Sequence, residues 1–273
     1  MYGTVVLHHR YSVACYTYFM NIFENRTDTS LRKFNIIAGC FHFVLAAIVL
    51  ALSNDFSLPV TATYLAGPPG SVFADPITLF NVRTGYAVAI FLGLSSLFHF
   101  VVASPKYFKK YTKGLKKNIN IFRWIEYSFS SSLMIFLIAQ ITGISDYGAL
   151  VGIIGVNTSM ILFGWLQEKY VKPGSGDMLP FIFGSIAGIV PWLIVLISVL
   201  SPGSISDATP PGFVYGIIIS IFVLFNTFAY VQFKQYQAKS KWKNYLRGEY
   251  AYIVLSFVAK ALLAMQIFAN TLI

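Results

Sequence analysis

The chain has 273 residues, 56% hydrophobic and 11% charged, with a mean hydropathy of +0.67. A soluble domain carries about 25% charged residues, so the composition excludes a soluble globule and implies a chain that lives in a bilayer. The formal charge of +10 would suit nucleic acid, but the placement of the basic residues, taken up below, points elsewhere.

The first stretch, 1–23, is apolar and aromatic but is broken by Arg10 and two histidines. It lacks the uninterrupted apolar centre of a signal peptide and the run of about 20 residues that a spanning helix needs. An interfacial segment is expected there, with Met20 as an alternative start. Residues 1–30 therefore read as a cytoplasmic or interfacial segment and 31–273 as one domain. Apolar runs follow at 34–52, 80–103, 121–144, 147–166, 178–200, 212–233 and 250–273. Each is close to the length that crosses a bilayer at about 1.5 Å per residue. Irregular backbone cannot face lipid, so the fold class expected is an all-α membrane protein, a seven-transmembrane helix bundle.

The long loop 53–79 separates the first two runs. Val60 to Tyr64 alternates at the strand period, Gly67-Pro68-Pro69-Gly70 reads as a turn, and Ser71 to Phe73 reads as a returning strand. A β-hairpin is predicted, acting as a lid or as a contact between subunits. A Pro/Gly/Ser loop at 201–211 lies on the same side. With the N-terminus in the cytoplasm, seventeen Lys and Arg fall in inside segments and only Arg83 in outside ones, while Arg123 and Lys260 lie within spans. The positive-inside rule then puts the N-terminus cytoplasmic, and the C-terminus and hairpin extracellular. The lysines serve as topology determinants that tolerate weak contact with anionic lipid, not as a nucleic-acid site. The sequon Asn25-Arg26-Thr27 falls inside the cell and is discounted. Cys40 reads as a small packed hydrophobe, and with Cys15 it makes no disulfide framework.

Two lone charges stand inside apolar runs. A cation at mid-membrane depth costs roughly 2.5–3.5 kcal/mol, and Lys260 lies too far along its run to snorkel easily. A neutral lysine amine condenses with an aldehyde to an imine, and an opposite charge nearby holds that imine protonated. Glu126 reads as that charge and as the only carboxylate buried within a span; its alternative partner is Arg123, one turn away. Lys260 and Glu126 are what a retinal-binding membrane protein requires.

His42, His99, Arg123 and Glu126 share the cytoplasmic half, where one polar cavity is the least costly arrangement. A histidine pKa of about 6.5 suits a temporary proton acceptor; the plainer reading is a pair of hydrogen-bonded core histidines. Asn157 and Asn226 are expected to bridge helices, and Glu168 to be a solvated end charge or a lysine's partner. A polyene needs flat apolar walls. The candidates are Tyr127, Met134 (two turns after Glu126), Trp192 (after a kink at Pro191) and Phe225.

The strings Arg123-Trp124-Ile125-Glu126-Tyr127-Ser128 and Ser256-Phe257-Val258-Ala259-Lys260, then Gln266-Ile267-Phe268, with His42 and His99, resemble the heliorhodopsins, the inverted-topology branch of the retinal proteins. The likeness runs from about Leu31 to the C-terminus. Met265 stands where the family string has an aromatic, a departure expected to alter packing at the chromophore end. The resemblance implies all-trans retinal on Lys260 as a protonated Schiff base, Glu126 as counterion and Ser256 hydrogen-bonding near the imine. It implies His42 and His99 lining a polar cavity beside it. It further implies a light sensor with a slow photocycle, no net pumping, a homodimer and a cytoplasmic signalling partner. The alternative is a light-gated or light-driven proton transporter. A pump needs titratable stations toward both faces, and the aspartates at 55, 75, 146 and 207 fall in outer loops or at helix ends. A receptor or transporter without retinal is a second alternative. No metal cluster or nucleophile–base set stands out, so an enzyme is not expected.

Overall fold

A computed structural model describes residues 27–200 and 210–271. The expected interfacial segment, Cys15, Asn25 of the sequon, most of the 201–211 loop, Asp207 and the last two residues lie outside the described residues. Helices α1 (Asp28–Leu52), α2 (Thr84–Ala103), α4 (Ile121–Ile141), α5 (Tyr147–Tyr170), α6 (Leu179–Leu200), α7 (Gly212–Gln237) and α8 (Tyr245–Thr271) make up seven membrane-length apolar helices. A short helix α3 (Pro105–Leu115) and a 3-10 turn (Ser240–Lys243) sit among the connections. Strands β1 (Ser57–Ala62) and β2 (Ile77–Arg83) form a two-stranded sheet between α1 and α2. The outward faces are apolar, with Phe43, Val44, Val151, Ile186, Ile197 and Ile219 exposed. That surface belongs in a lipid bilayer.

Local chemistry sets the helix ends. Thr27 and Ser30 close a capping box ahead of α1: the Ser30 amide donates to the Thr27 hydroxyl (3.2 Å) and the Thr27 amide to the Ser30 hydroxyl (3.0 Å). Asn120 caps α4 and Asp146 caps α5 through their side-chain oxygens. Caps are polar and lie beyond the apolar run, so α1 starts earlier than the run itself. Helix α8 likewise begins at Tyr245, ahead of the expected 250, and takes Arg247 and Glu249 into its first turns.

The hairpin exists with a different second strand. Strand β1 pairs antiparallel with β2, with an irregularity between Val60 and Thr61. The turn is where expected, with the Ser71 amide on the Pro68 carbonyl at 3.0 Å, but the 71–73 segment contributes only a Leu65–Phe73 bridge. Hydropathy does not separate a short strand from a helix start. Residues 80–83 therefore belong to β2, and α2 begins at Thr84.

Two further expectations change. Cys40 is exposed, because the helical period puts Leu31, Asn35, Ala38, His42, Ala46 and Val49 on the buried stripe of α1. Residues 105–115, expected as a solvated lysine loop, form an amphipathic helix. Ser104 and Pro105 start it, and Tyr111, Thr112 and Leu115 are buried beneath exposed lysines.

The apolar core has two parts. The larger, around Val88, Phe91, Leu92, Ile135, Ile138 and Ile217, fills the half of the bundle toward the hairpin. The smaller, with Leu31, Val102, Tyr111, Leu115 and Tyr250, closes the lysine-rich end. The backbones of α1 and α2 approach closely where Gly85 faces Ser53: a Cβ there would lie 2.6 Å from the Ser53 Cβ. Gly85→Val should cost about 1–3 kcal/mol by overpacking. This should appear as a lowered melting temperature, whereas Gly93→Ala, with nothing within 4 Å of the new methyl, should change it little.

Candidate functional site

Helices α4 and α8 both start at the lysine-rich end, yet Glu126 is little more than one turn into its helix and Lys260 about four. Helical side chains lean toward the N-terminus, so Lys260 reaches back. Its Nζ donates to Glu126 Oε1 at 2.6 Å and to Ser95 Oγ at 2.5 Å, and Ser95 in turn donates to Glu126 Oε1 at 2.7 Å. The ammonium also lies 5.3 Å from the centre of the Tyr127 ring. Lys260, Glu126 and Ser95 are all buried. A buried cation persists when an opposite charge and hydrogen bonds replace its water, and this three-group set supplies both.

Arg123 is not the partner of Glu126. Its guanidinium binds Glu168 on α5 and Glu249 on α8, with the ring of Tyr252 4.0 Å away. Both carboxylates are buried, which corrects the expectation that Glu126 stands alone within the spans and that Glu168 is solvated. The reason is mutual: each acid supplies what the buried guanidinium lacks.

A cavity of about 50 Å³ lies between these two charged sets, with Asn35, Ser95, His99, Glu126, Glu249 and Ser256 in its wall. That is room for a few waters. His99 Nδ1 pairs with Asn35 Oδ1 at 2.8 Å, and the Asn35 amide donates to the Leu31 carbonyl at 3.0 Å. The Asn35 oxygen therefore accepts, and His99 Nδ1 carries the hydrogen. His42 does not line this cavity. It lies behind His99, stacked ring on ring at 5.6 Å, and its nitrogens meet no hydrogen-bond partner among the described residues.

A second cavity, of about 330 Å³, has Lys260 in its wall together with Tyr127, Met134, Trp192 and Phe225, the expected wall residues. Trp192 meets Phe222 and Phe225 edge-on, at 5.2 and 5.6 Å, and Tyr127 meets Phe228 at 5.5 Å. Ser256, Tyr127 and Tyr252 belong to both walls, so they form the partition between the polar and apolar spaces. An apolar space within the range of about 300–1,000 Å³ typical of ligand sites, with one amine in its wall, fits an aldehyde-bearing polyene.

Asn157 bridges helices as expected, donating to Ser131 and Ser132 at 2.9 and 3.0 Å. Asn226 does not: it bonds the Phe222 carbonyl of its own helix and lines the larger cavity. Met265 is 62% exposed, on the outer face of α8, so this departure from the family string does not reach the cavity wall. Sequence reasoning missed Ser95, Asn35, Asn120, Glu249, Tyr245 and Tyr252. Ser95 was within reach, because it sits one turn from His99 on the same helical face. Glu249 was hidden by the habit of starting a span after its last charge. Among the described residues no group of His, Cys, Asp and Glu is placed to hold a metal ion.

A family model described as Heliorhodopsin matches residues 31–272. Comparison with curated proteins gives no match.

Arg123 is the residue whose loss should be felt most. Arg123→Met would leave Glu168 and Glu249 facing each other with no cation. Removing one side of a buried ion pair costs about 3–5 kcal/mol, so thermal unfolding in detergent should show a much less stable protein, while Arg247→Met at the bundle's end should be nearly neutral.

Proposed function

The chain belongs to the heliorhodopsin family, light-responsive retinal proteins of the membrane, and on that premise we propose that it is a light sensor holding all-trans retinal on Lys260 as a protonated Schiff base. The observation that carries this reading is the buried Lys260–Glu126–Ser95 set in the wall of the larger apolar cavity. Bound retinal supplies light absorption and a light-driven change of shape. Glu126 Oε1 is the counterion that keeps the proton on Lys260 Nζ, and Ser95 orients both. Tyr127, Met134, Trp192 and Phe225 exclude water and flank the chain of the chromophore. Ser256, one turn before Lys260, stands at the partition and serves the nitrogen from the polar side.

Light moves the proton from Lys260 Nζ into the polar cavity, where His99 and, behind it, His42 accept it. The resulting charge change repacks the neighbouring helices, the logic of an electrostatic switch. The distribution of Lys and Arg supports a cytoplasmic N-terminus, an extracellular C-terminus and an extracellular hairpin. It follows that the polar cavity lies in the cytoplasmic half, and a signalling partner on that side reads the change. The exposed hairpin suits a homodimer contact.

A slow photocycle without net pumping is the reading preferred over light-gated or light-driven proton transport. The buried Lys260, Glu126, His42, Arg123, Glu168 and Glu249 all lie between the lysine-rich end and the Lys260 level. The half toward the hairpin is filled by the larger apolar cluster. Protons have no titratable relay there among the described residues.

Adding all-trans retinal to the expressed protein should give a visible band. Lys260→Ala should abolish it, and Glu126→Gln should replace it at neutral pH with a near-ultraviolet band; an unshifted visible band would remove Glu126 as counterion. Replacing both His42 and His99 by Ala should slow proton uptake in flash spectroscopy by at least about tenfold, the loss typical of an acid–base group. Under voltage clamp, illumination should give no sustained current; a steady photocurrent would favour the transport reading.

A further inference from the structure

The geometry points to a proton held on the Glu249 carboxyl, in a buried cluster that the chemistry at Lys260 does not use. This goes beyond the light-sensing reading and needs no pigment. Arg123 is one guanidinium shared by two carboxylates, with side-chain exposures of 4% for Arg123, 1% for Glu168 and 2% for Glu249. Lys260 is already committed to Glu126, so it is no second cation for this cluster. If both acids were ionised, the cluster would bury one uncompensated negative charge. A group in that position takes up a proton in preference to standing charged and unpaired.

The hydrogen bonds tell the two acids apart. Donors converge on Glu168 from all sides: Arg123 and the Tyr245 hydroxyl (2.7 Å) at Oε1, and the Asn120 amide (3.0 Å) and Trp124 Nε1 (2.6 Å) at Oε2. An acid hydrogen there would point into donors. Glu249 accepts from Arg123 at Oε1 and from Asn120 Nδ2 at Oε2, 2.6 Å away, and it borders the smaller cavity, which Glu168 does not. Tyr252 borders the same cavity, and its buried hydroxyl has no partner among the described residues. The cavity side of Glu249 thus offers an acid hydrogen space. The titratable and charged groups packed about it are His99 on α2, Tyr111 on α3, Arg123, Glu126 and Tyr127 on α4, Glu168 on α5, and Tyr245 and Tyr252 on α8. Glu168 keeps the negative charge that balances Arg123, and Glu249 is the neutral member.

Infrared spectra of the full chain in detergent, with and without retinal and in H₂O and D₂O at neutral pH, test this. The expected result is one protonated-carboxyl C=O band that moves on deuteration. Glu249→Asp should shift its frequency and Glu249→Gln should remove it. Glu168→Gln should also remove it, because Arg123 would then need Glu249 as its sole anion; a purely structural role for Glu168 would not have this effect. Absence of the band, its survival in Glu249→Gln or Glu168→Gln, or a shift in Glu168→Asp with none in Glu249→Asp, overturns the proposal. Because the band is read without pigment, a colourless protein that shows it loses only the light-sensing reading. A coloured protein that lacks it loses only this one.

Discussion

Burying an ammonium in the middle of a bilayer is permitted only when something else in the protein takes the place of water. Lys260 meets that demand with a carboxylate and a hydroxyl, at 2.6 and 2.5 Å. The demand propagates. Glu126 must come from α4, Ser95 from α2, and the three helices must pack closely enough to bring their side chains to one point. Glu126, once committed to Lys260, cannot also satisfy Arg123, so Arg123 finds its acids on α5 and α8. Two charged sets therefore organise the inward faces of four helices, α2, α4, α5 and α8, between them, and the smaller cavity is the space they share.

That arrangement divides the bundle lengthwise. From the Lys260 level toward the lysine-rich end the interior carries the ion pairs and their hydrogen bonds, beside the smaller apolar cluster. Toward the hairpin it is Val, Ile, Leu and Phe. The larger cavity lies against the boundary, with Tyr127, Tyr252 and Ser256 shared between the two environments. The Lys260 amine there has the aromatic walls of the larger cavity on one side, and Glu126 and Ser95, which border the polar cavity, on the other.

Much of this could be read in the residues. Long apolar runs show themselves through hydropathy, and a lone Lys and a lone Glu within such runs announce a partnership because each is so costly alone. Tyr127, Met134, Trp192 and Phe225, picked out as flat or soft side chains, all line the larger cavity, although in a chain this rich in aromatics any single one is more often ordinary packing. What escaped notice did so for physical reasons. Glu168 and Glu249 sit near the ends of their helices, where composition resembles a solvated loop, and only the fold shows that Arg123 pulls them inside. Strand β2 is as apolar as a helix start. Helix α3 carries so many lysines that its buried Tyr111 and Leu115 are easily overlooked. His42 and His99 looked equivalent in the chain, but stacking puts one at the cavity and the other behind it.

Asn120 joins these parts in a way that has a mechanical consequence. Its side-chain oxygen receives the Arg123 amide and so finishes the first turn of α4, its side-chain nitrogen holds Glu249, and its own amide holds Glu168. Together with Arg123 and Trp124, it latches the end of the helix that bears Glu126 to α5 and α8. A shift in how tightly the acids grip that latch tugs on the frame of α4 itself, so a rearrangement of charge becomes a displacement of backbone at the rim of the bundle.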